Sequence, residues 1–249
     1  MELLVDGDIV LYQCATVNQE EFVWDEDTTS ESLDLENAKL EFDASIASLI
    51  DKTKTTQAII CFSDSPCFRY DVLPSYKHNR VDIEKPKLYY DLRDYALSEY
   101  TCKVKPKLEA DDVLGILATL RPHKYVVASI DKDLMQIPGV HYNWKHNERK
   151  VITPAEGDYW FYTQILTGDP TDGYSGCPGI GPKRAERALA KCRTEEEYWT
   201  AIVKTYESKG FKEEDALVQA RVARILRKDD YDFKKKEVIL WDCSMKEKE

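Results

Sequence analysis

Three short apolar runs in this 249-residue chain end in aspartate: Leu3–Val5 at Asp6 in LLVDGD, Ala58–Phe62 before Asp64 in IICFSD, and Tyr125–Ile130 before Asp131 and Asp133 in VVASIDKD. A short, continuously apolar run is the pattern of a strand buried on both faces, as in a parallel sheet covered by helices. In open α/β sheets the C-terminal strand ends face the ligand crevice. A fourth acidic stretch, Glu109–Asp112 (EADD), precedes VLGILATL. There Val113, Ile116, Leu117 and Leu120 follow the i, i+3, i+4, i+7 rule and predict a helix with that face on a core. Read alone, EADD is a well-started helix, because acids near a helix N-terminus are favoured by its dipole. Carboxylates repeated at the ends of several core elements, with Asp169 and Asp172 before a glycine-rich turn, predict one converging site.

Composition narrows the chemistry. With 43% hydrophobic residues the chain can bury a substantial core, as one large domain or one domain with an appendage. It has no long apolar span, and MELLVDGD lacks the features of a signal peptide, so the protein is expected to remain in the cytoplasm where it is made. Seven cysteines without a C-x-x-C read as reduced, buried thiols, and the four histidines form no zinc pattern. Hard-cation chemistry on oxygen stays open. The net charge of −11 opposes a polyphosphate partner at first sight. It is unevenly spread: Lys183, Arg184, Arg187, Lys191 and Arg193 face one acid, Glu186, between Gly173 and Arg193.

Along the chain, β-α-β alternation runs to about residue 153, with strands at 3–5, 58–62 and 125–130, an extended stretch at 100–104, and helices ending near Ile50, over 87–99 and from 109. The charge of Glu20–Glu41 reads as a solvated surface. Residues 67–86 show no sustained period and read as an irregular connection mixing Tyr76 with Lys77, Asn79 and Arg80. That mixture suits a phosphate or a single strand, although an ordinary exposed loop is the preferred reading of the segment alone. Residues 143–152 predict a hairpin or loop. From Pro154 the pattern turns helical, with helices over 159–166, from Pro182 and over 213–227, a final strand at 237–241 and a disordered tail. The turn GDPTDGYSGCPGIG leaves backbone N–H groups of Gly176, Gly179 and Gly181 before a basic helix, a seat for a phosphate. A helix connection needing glycine for its geometry explains the same residues.

Taken together, LLVDGD, FSD with FR and SYKHNR, LEADDVLG, SIDKDL and GDPTDGYSGCPGIGPKRA resemble, in order and spacing, the flap-endonuclease-like 5′ nucleases. The GD-x-x-DGYSG phrasing and the ARILR…LW ending are most similar to the short phage 5′→3′ exonucleases. The resemblance implies a PIN-like α/β fold over 1–153, with a mostly parallel central sheet flanked by helices. It implies a helix-hairpin-helix-type DNA-binding region over 154–249. It also implies two divalent ions, Mg²⁺ with Mn²⁺ as substitute, held by Asp6, Asp64, Glu109, Asp111, Asp131, Asp133 and Asp172, with Asp112 and Asp169 as further acidic positions. Lys77 and Arg80 match the cations at the gateway for the 5′ end. Tyr76, Gly176, Gly179, Gly181, Lys183, Arg184 and Arg187 are the expected DNA contacts, and potassium at the GIG turn is a feature of relatives. The short stretch after Arg80 departs from a full helical arch, and Asp8 falls outside the family's acids. The chain is thus expected to be a monomeric, metal-dependent 5′→3′ DNA exonuclease or structure-specific, flap-endonuclease-like 5′ nuclease. Rival readings are a PIN-class RNase acting on RNA or hybrids, a silent DNA-binding module, and a haloacid-dehalogenase-type phosphohydrolase, whose D-x-D pattern Asp6-Gly7-Asp8 fits.

Overall fold

A computed structural model of the chain describes residues 1–23 and 29–243. The first half runs β1 (Glu2–Asp6), α1 (Gly7–Val17), β2 (Gln19–Val23), β3 (Thr29–Leu33), α2 (Leu35–Thr53), β4 (Ala58–Phe62), α3 (Arg69–Val72), α4 (Tyr89–Glu99), β5 (Cys102–Val104), α5 (Ala110–Leu120) and β6 (Tyr125–Ala128). It continues through β7 (Gly139–Asn143), β8 (Glu148–Ile152), α6 (Pro154–Thr167), α7 (Pro182–Leu189), α8 (Glu195–Glu207), α9 (Glu213–Ala223), β9 (Tyr231–Asp232) and β10 (Glu237–Val238).

Six strands form one sheet in the order β5-β4-β1-β6-β7-β8, parallel except for the β7–β8 hairpin. Side chains alternate across it as period 2 demands. Leu3 and Val5 join Val10, Leu11, Phe42, Ile46 and Leu92 on one face, where α1, α2 and α4 pack. Leu4, Ile59, Cys61 and Val127 meet Val113, Leu114 and Ile116 of α5 on the other. A third core, rich in aromatic rings, holds α6 to α9 together around Phe161, Trp199, Tyr206 and Trp241, and takes in Cys67 and Tyr76 from the connection after β4. The mostly parallel, helix-flanked sheet expected from the apolar runs is therefore present. Cys14, Cys61, Cys67, Cys177 and Cys192 are buried free thiols. Among the described residues no helix is long and apolar enough to cross a membrane.

Several boundaries differ from the sequence reading. Leu120, expected on the core face of α5, is 42% exposed because it ends the helix at its last turn. Helix α6 begins at Pro154, five positions before the expected start, where Thr153 and Glu156 form a reciprocal capping box. The α9 helix stops at Ala223 instead of Arg227. The chain goes extended at Arg224 so that the N–H groups of Ile225 and Leu226 can donate to Gln136 and Asp112 in the buried interior. Strand β10 covers only 237–238 of the expected 237–241. The tail beyond Cys243, and the side chains of the acidic stretch over 20–31, lie outside the described residues.

Candidate active site

The strand ends do converge. An open cleft of about 510 Å³ is lined by Asp6, Asp8, Asp64, Glu109, Asp111, Asp131 and Asp172 together with Lys77 and Arg80. Each acid is brought there by a specific local feature. Asp6 leaves β1 as the N-cap of α1, accepting from the Ile9 N–H, and takes a 2.7 Å hydrogen bond from the Ser129 hydroxyl after β6. Ser129 in turn accepts from the Asp131 N–H, and Asp131 from the Asp133 N–H, so the DKD turn is fixed to β1 through one hydroxyl. Asp64 follows β4 and accepts from the Lys107 N–H at 2.8 Å. Glu109 and Asp111 stand at the start of α5, tied to the β4 end by the Ala110 N–H donating to the Ser63 hydroxyl. Asp172 arrives from the turn after α6.

Electrostatics divide these acids into two sets. Burial pushes Asp6 up to about 7, with the neighbouring charges of Asp8 and Asp131 adding to it. Burial also raises Asp111, next to Asp6 and Asp131, and Asp131 itself. Asp133, which lies outside the cleft lining beside Asp131, is lifted to about 7 by burial and by Asp131 and Asp169, and one of its buried oxygens has no hydrogen-bond partner. Glu109 behaves oppositely: burial works to raise it, yet Arg69 and Lys77 hold it at about 2. Lys77 Nζ lies 2.5 Å from Glu109 and 3.5 Å from Asp172, and Arg80 lies 2.8 Å from Asp172. Glu109 and Asp172 thus pair with protein cations, whereas Asp6, Asp111, Asp131 and Asp133 have no ion-pair partner among the described residues, and Lys77 and Lys132 offset their repulsion only in part.

That second set fits a hard cation: every donor is oxygen, the mutual repulsion is only partly offset by Lys77 and Lys132, and a buried carboxylate oxygen stands orphaned. Among the described residues no three groups are already drawn to ligand distance around one point, since Glu109 and Asp172 are turned to Lys77 and Arg80.

Four residues singled out from the sequence take other positions. Asp112 is fully buried and points away from the cleft. It receives two bonds from the Arg69 guanidinium, at 2.6 and 2.8 Å, and the N–H groups of Glu109 and Leu226. With its lone pairs so used, Asp112 is a buried brace for the start of α5. Asp169 also lies outside the cleft lining; it accepts from the Thr171 N–H and pairs with Lys132, shaping the turn that presents Asp172. Tyr76, expected to meet nucleic acid, is 2% exposed and donates its hydroxyl toward Glu109 and Asp172. Its loop folds inward because the ring belongs to the helical core. Gly176 is buried with φ +62°, and a Cβ there would collide with the Gly168 nitrogen, so its role is close packing against the end of α6. Gly179, Gly181, Lys183, Arg184 and Arg187 are exposed, and Arg184 caps the Gly179 carbonyl at 2.6 Å.

Two residues were missed. Asp8, on the first turn of α1, lines the cleft and accepts from the Ser63 N–H and the Tyr89 hydroxyl. Its signal was the second acid of DGD. Arg69 is buried and binds Asp112, Glu109 and the Val222 and Arg224 carbonyls. Nothing in FR announces a buried guanidinium.

A sheet of this order with acids at its C-terminal edge and a helical layer behind defines a class, and the comparisons agree with it. Residues 2–157 match the family model described as the 5′-3′ exonuclease, N-terminal resolvase-like domain. The chain belongs to the 5′-3′ exonuclease family, and it is a 5′ nuclease. The exonuclease of Escherichia phage T7 is 30% identical over 96% of this chain and 92% of its own length. The exodeoxyribonuclease of Enterobacteria phage T3 is 28% identical over the same shares. The fold is similar to the solved T5 D15 protein co-crystallized with metal ions, at TM-score 0.67 and 15% identity, covering 89% of this chain and 88% of that one.

Proposed function

We propose that the cleft hydrolyses phosphodiester bonds at the 5′ end of DNA with two divalent cations, Mg²⁺ or its substitute Mn²⁺. The observation that carries this reading is the set of cleft acids Asp6, Asp111 and Asp131, raised by burial and by one another and not ion-paired among the described residues, beside a Lys77–Arg80 pair. Asp6, Asp64, Asp111, Asp131, Asp133 and Asp172 would hold the ions, with Asp8 and Glu109 beside them. Bound there, the ions supply the positive charge that polarises the phosphodiester and makes a water acidic enough to attack it.

The protein's own part is positioning. Were Glu109 and Asp172 drawn to bound cations, Lys77 and Arg80 would lose their present partners and be free to neutralise the substrate phosphate. The Tyr76 hydroxyl holds Glu109 and Asp172 in relation to each other. DNA bound by the cleft continues onto Lys183, Arg184 and Arg187, and the N–H groups of the 179–181 turn meet its phosphates. A potassium ion at that turn, and a single protomer as the acting unit, belong to the same reading. T5 D15 was solved in complex with DNA and metal ions, which supports DNA and divalent metal as the partners here.

Asp131 makes the test. Asp131→Ala is expected to lower Mg²⁺-dependent cleavage by at least two orders of magnitude while DNA binding in gel shift stays within a few-fold of native. Undiminished turnover removes the residue from the metal set.

A further inference from the structure

Basic surface on this acidic chain is not confined to α7. Lys105, just after β5, feels the like charges of Lys103 on that strand and of Lys236 in the turn between β9 and β10, where Lys234 and Lys235 also lie. Lys105 Nζ lies 4.5 Å from the centre of the Tyr231 ring and 5.4 Å from that of Phe233, which is 44% exposed. Lys107 and Lys236 line one groove with Phe68, Val72, Leu240 and the acid Glu237. Lys107 pairs with Asp71. Among the described residues the other five lysines have no carboxylate within ion-pair distance. Burial and the like charges of Lys103 and Lys236 push Lys105 down.

A lysine run in a hairpin turn is ordinarily a solvated surface, and solubilising surfaces intersperse both signs. Here two segments far apart in sequence bring like charges together at the free edge of the sheet, in a chain of net charge −11. The face is linked to the cleft through the backbone, where the Lys107 N–H donates to the cleft acid Asp64.

We propose that this lysine face carries the phosphodiester backbone of the DNA substrate outside the cleft, with Phe233 offering a ring to a sugar or base. The proposal rests on the DNA reading of the cleft and adds a second binding surface, separate from α7. Polyphosphate is the occupant that the observations favour: several ammonium groups without an ion-pair partner, an exposed ring, and a backbone link through Lys107 to the cleft acid Asp64.

The double variant Lys103→Ala/Lys236→Ala removes two exposed charges and leaves the packed Lys105 in place. Steady-state cleavage of a long 5′-labelled duplex with Mg²⁺, measured across a salt series, should show KM raised several-fold and kcat unchanged. The slope of log KM against log salt should fall by about 2, one for each phosphate that is no longer neutralised. Lys103→Arg/Lys236→Arg should restore native KM. A KM and slope equal to native overturn the proposal and leave the face to an acidic protein; a loss in kcat alone overturns it as well. Native protein in the same assay tests the underlying reading by itself. If it fails to cleave, the DNA reading of the cleft falls, whereas cleavage with an indifferent double variant removes only the lysine face.

Discussion

Arg69 and Asp112 form a buried pair at the base of the cleft, with side chains 4% and 0% exposed. Removing one partner of such a pair leaves an uncompensated charge, so Arg69→Ala should cost about 3–5 kcal/mol in chemical denaturation. Adding Asp112→Leu to it should recover part of that loss, because the stranded charge is gone; strictly additive costs would show that the two do not interact. The cleft acids predict a separate pH effect. Asp6 and Asp133 have folded-state pKa values raised to about 7, and Asp111 and Asp131 are raised too. Groups raised in the folded state contribute stability that is complete below about 4, their unfolded value, and is lost as pH rises through about 7. Glu109, held at about 2, contributes in the opposite sense only below pH 4.5. In chelator, then, the melting temperature should drop by several degrees between pH 5 and pH 8, and Mg²⁺ should restore it at pH 8. A melting temperature indifferent to pH in chelator would mean that the acids are not confined together.

At the scale of elements, the turn between α6 and α7 carries the strictest backbone demand. Gly168 and Gly176 have φ of +66° and +62°, and each approaches the other's backbone too closely to admit a Cβ. Gly176→Ala should therefore destabilise the protein by roughly 1–3 kcal/mol and weaken DNA binding through the displaced α7, both measurable on one preparation. An unchanged melting curve would show the turn to be pliable. The strands β1, β4 and β6 were legible because uninterrupted apolar runs closed by Asp fit a buried parallel sheet and little else. Asp6, Asp64 and Asp131 were legible for the same reason, each standing at or just after the end of a buried strand, and Glu109 and Asp111 were legible as the acids that start α5. Asp112 and Asp169 were misread because a carboxylate facing a metal and one facing a guanidinium or a backbone N–H share the same local sequence. The partner Arg69 lies 43 positions from Asp112 and carries no local signal. The end of α9 was hidden likewise: Arg224–Arg227 continues the helical pattern, and only the tertiary demand of Asp112 and Gln136 for N–H donors draws it out of the helix.

For the whole molecule, the net charge of −11 conceals a division of labour. Carboxylates are concentrated in the cleft, and cations are grouped at Lys77 and Arg80, along α7 and on the β5 edge. The helical layer is fastened to the sheet by Arg69, which binds α5 with one edge and the carbonyls at the end of α9 with the other. The start of α5 and the end of α9 are thus tied into one frame by a single buried guanidinium. The central claim, metal-dependent hydrolysis beginning at the 5′ terminus, is tested most directly with one duplex labelled in separate preparations at its 5′ or its 3′ end. With Mg²⁺ the 5′ label should appear at once in mononucleotides or short pieces while the 3′-labelled strand shortens progressively, and both should stop on chelation. Early release of the 3′ label, or cleavage that persists in chelator, would contradict the account.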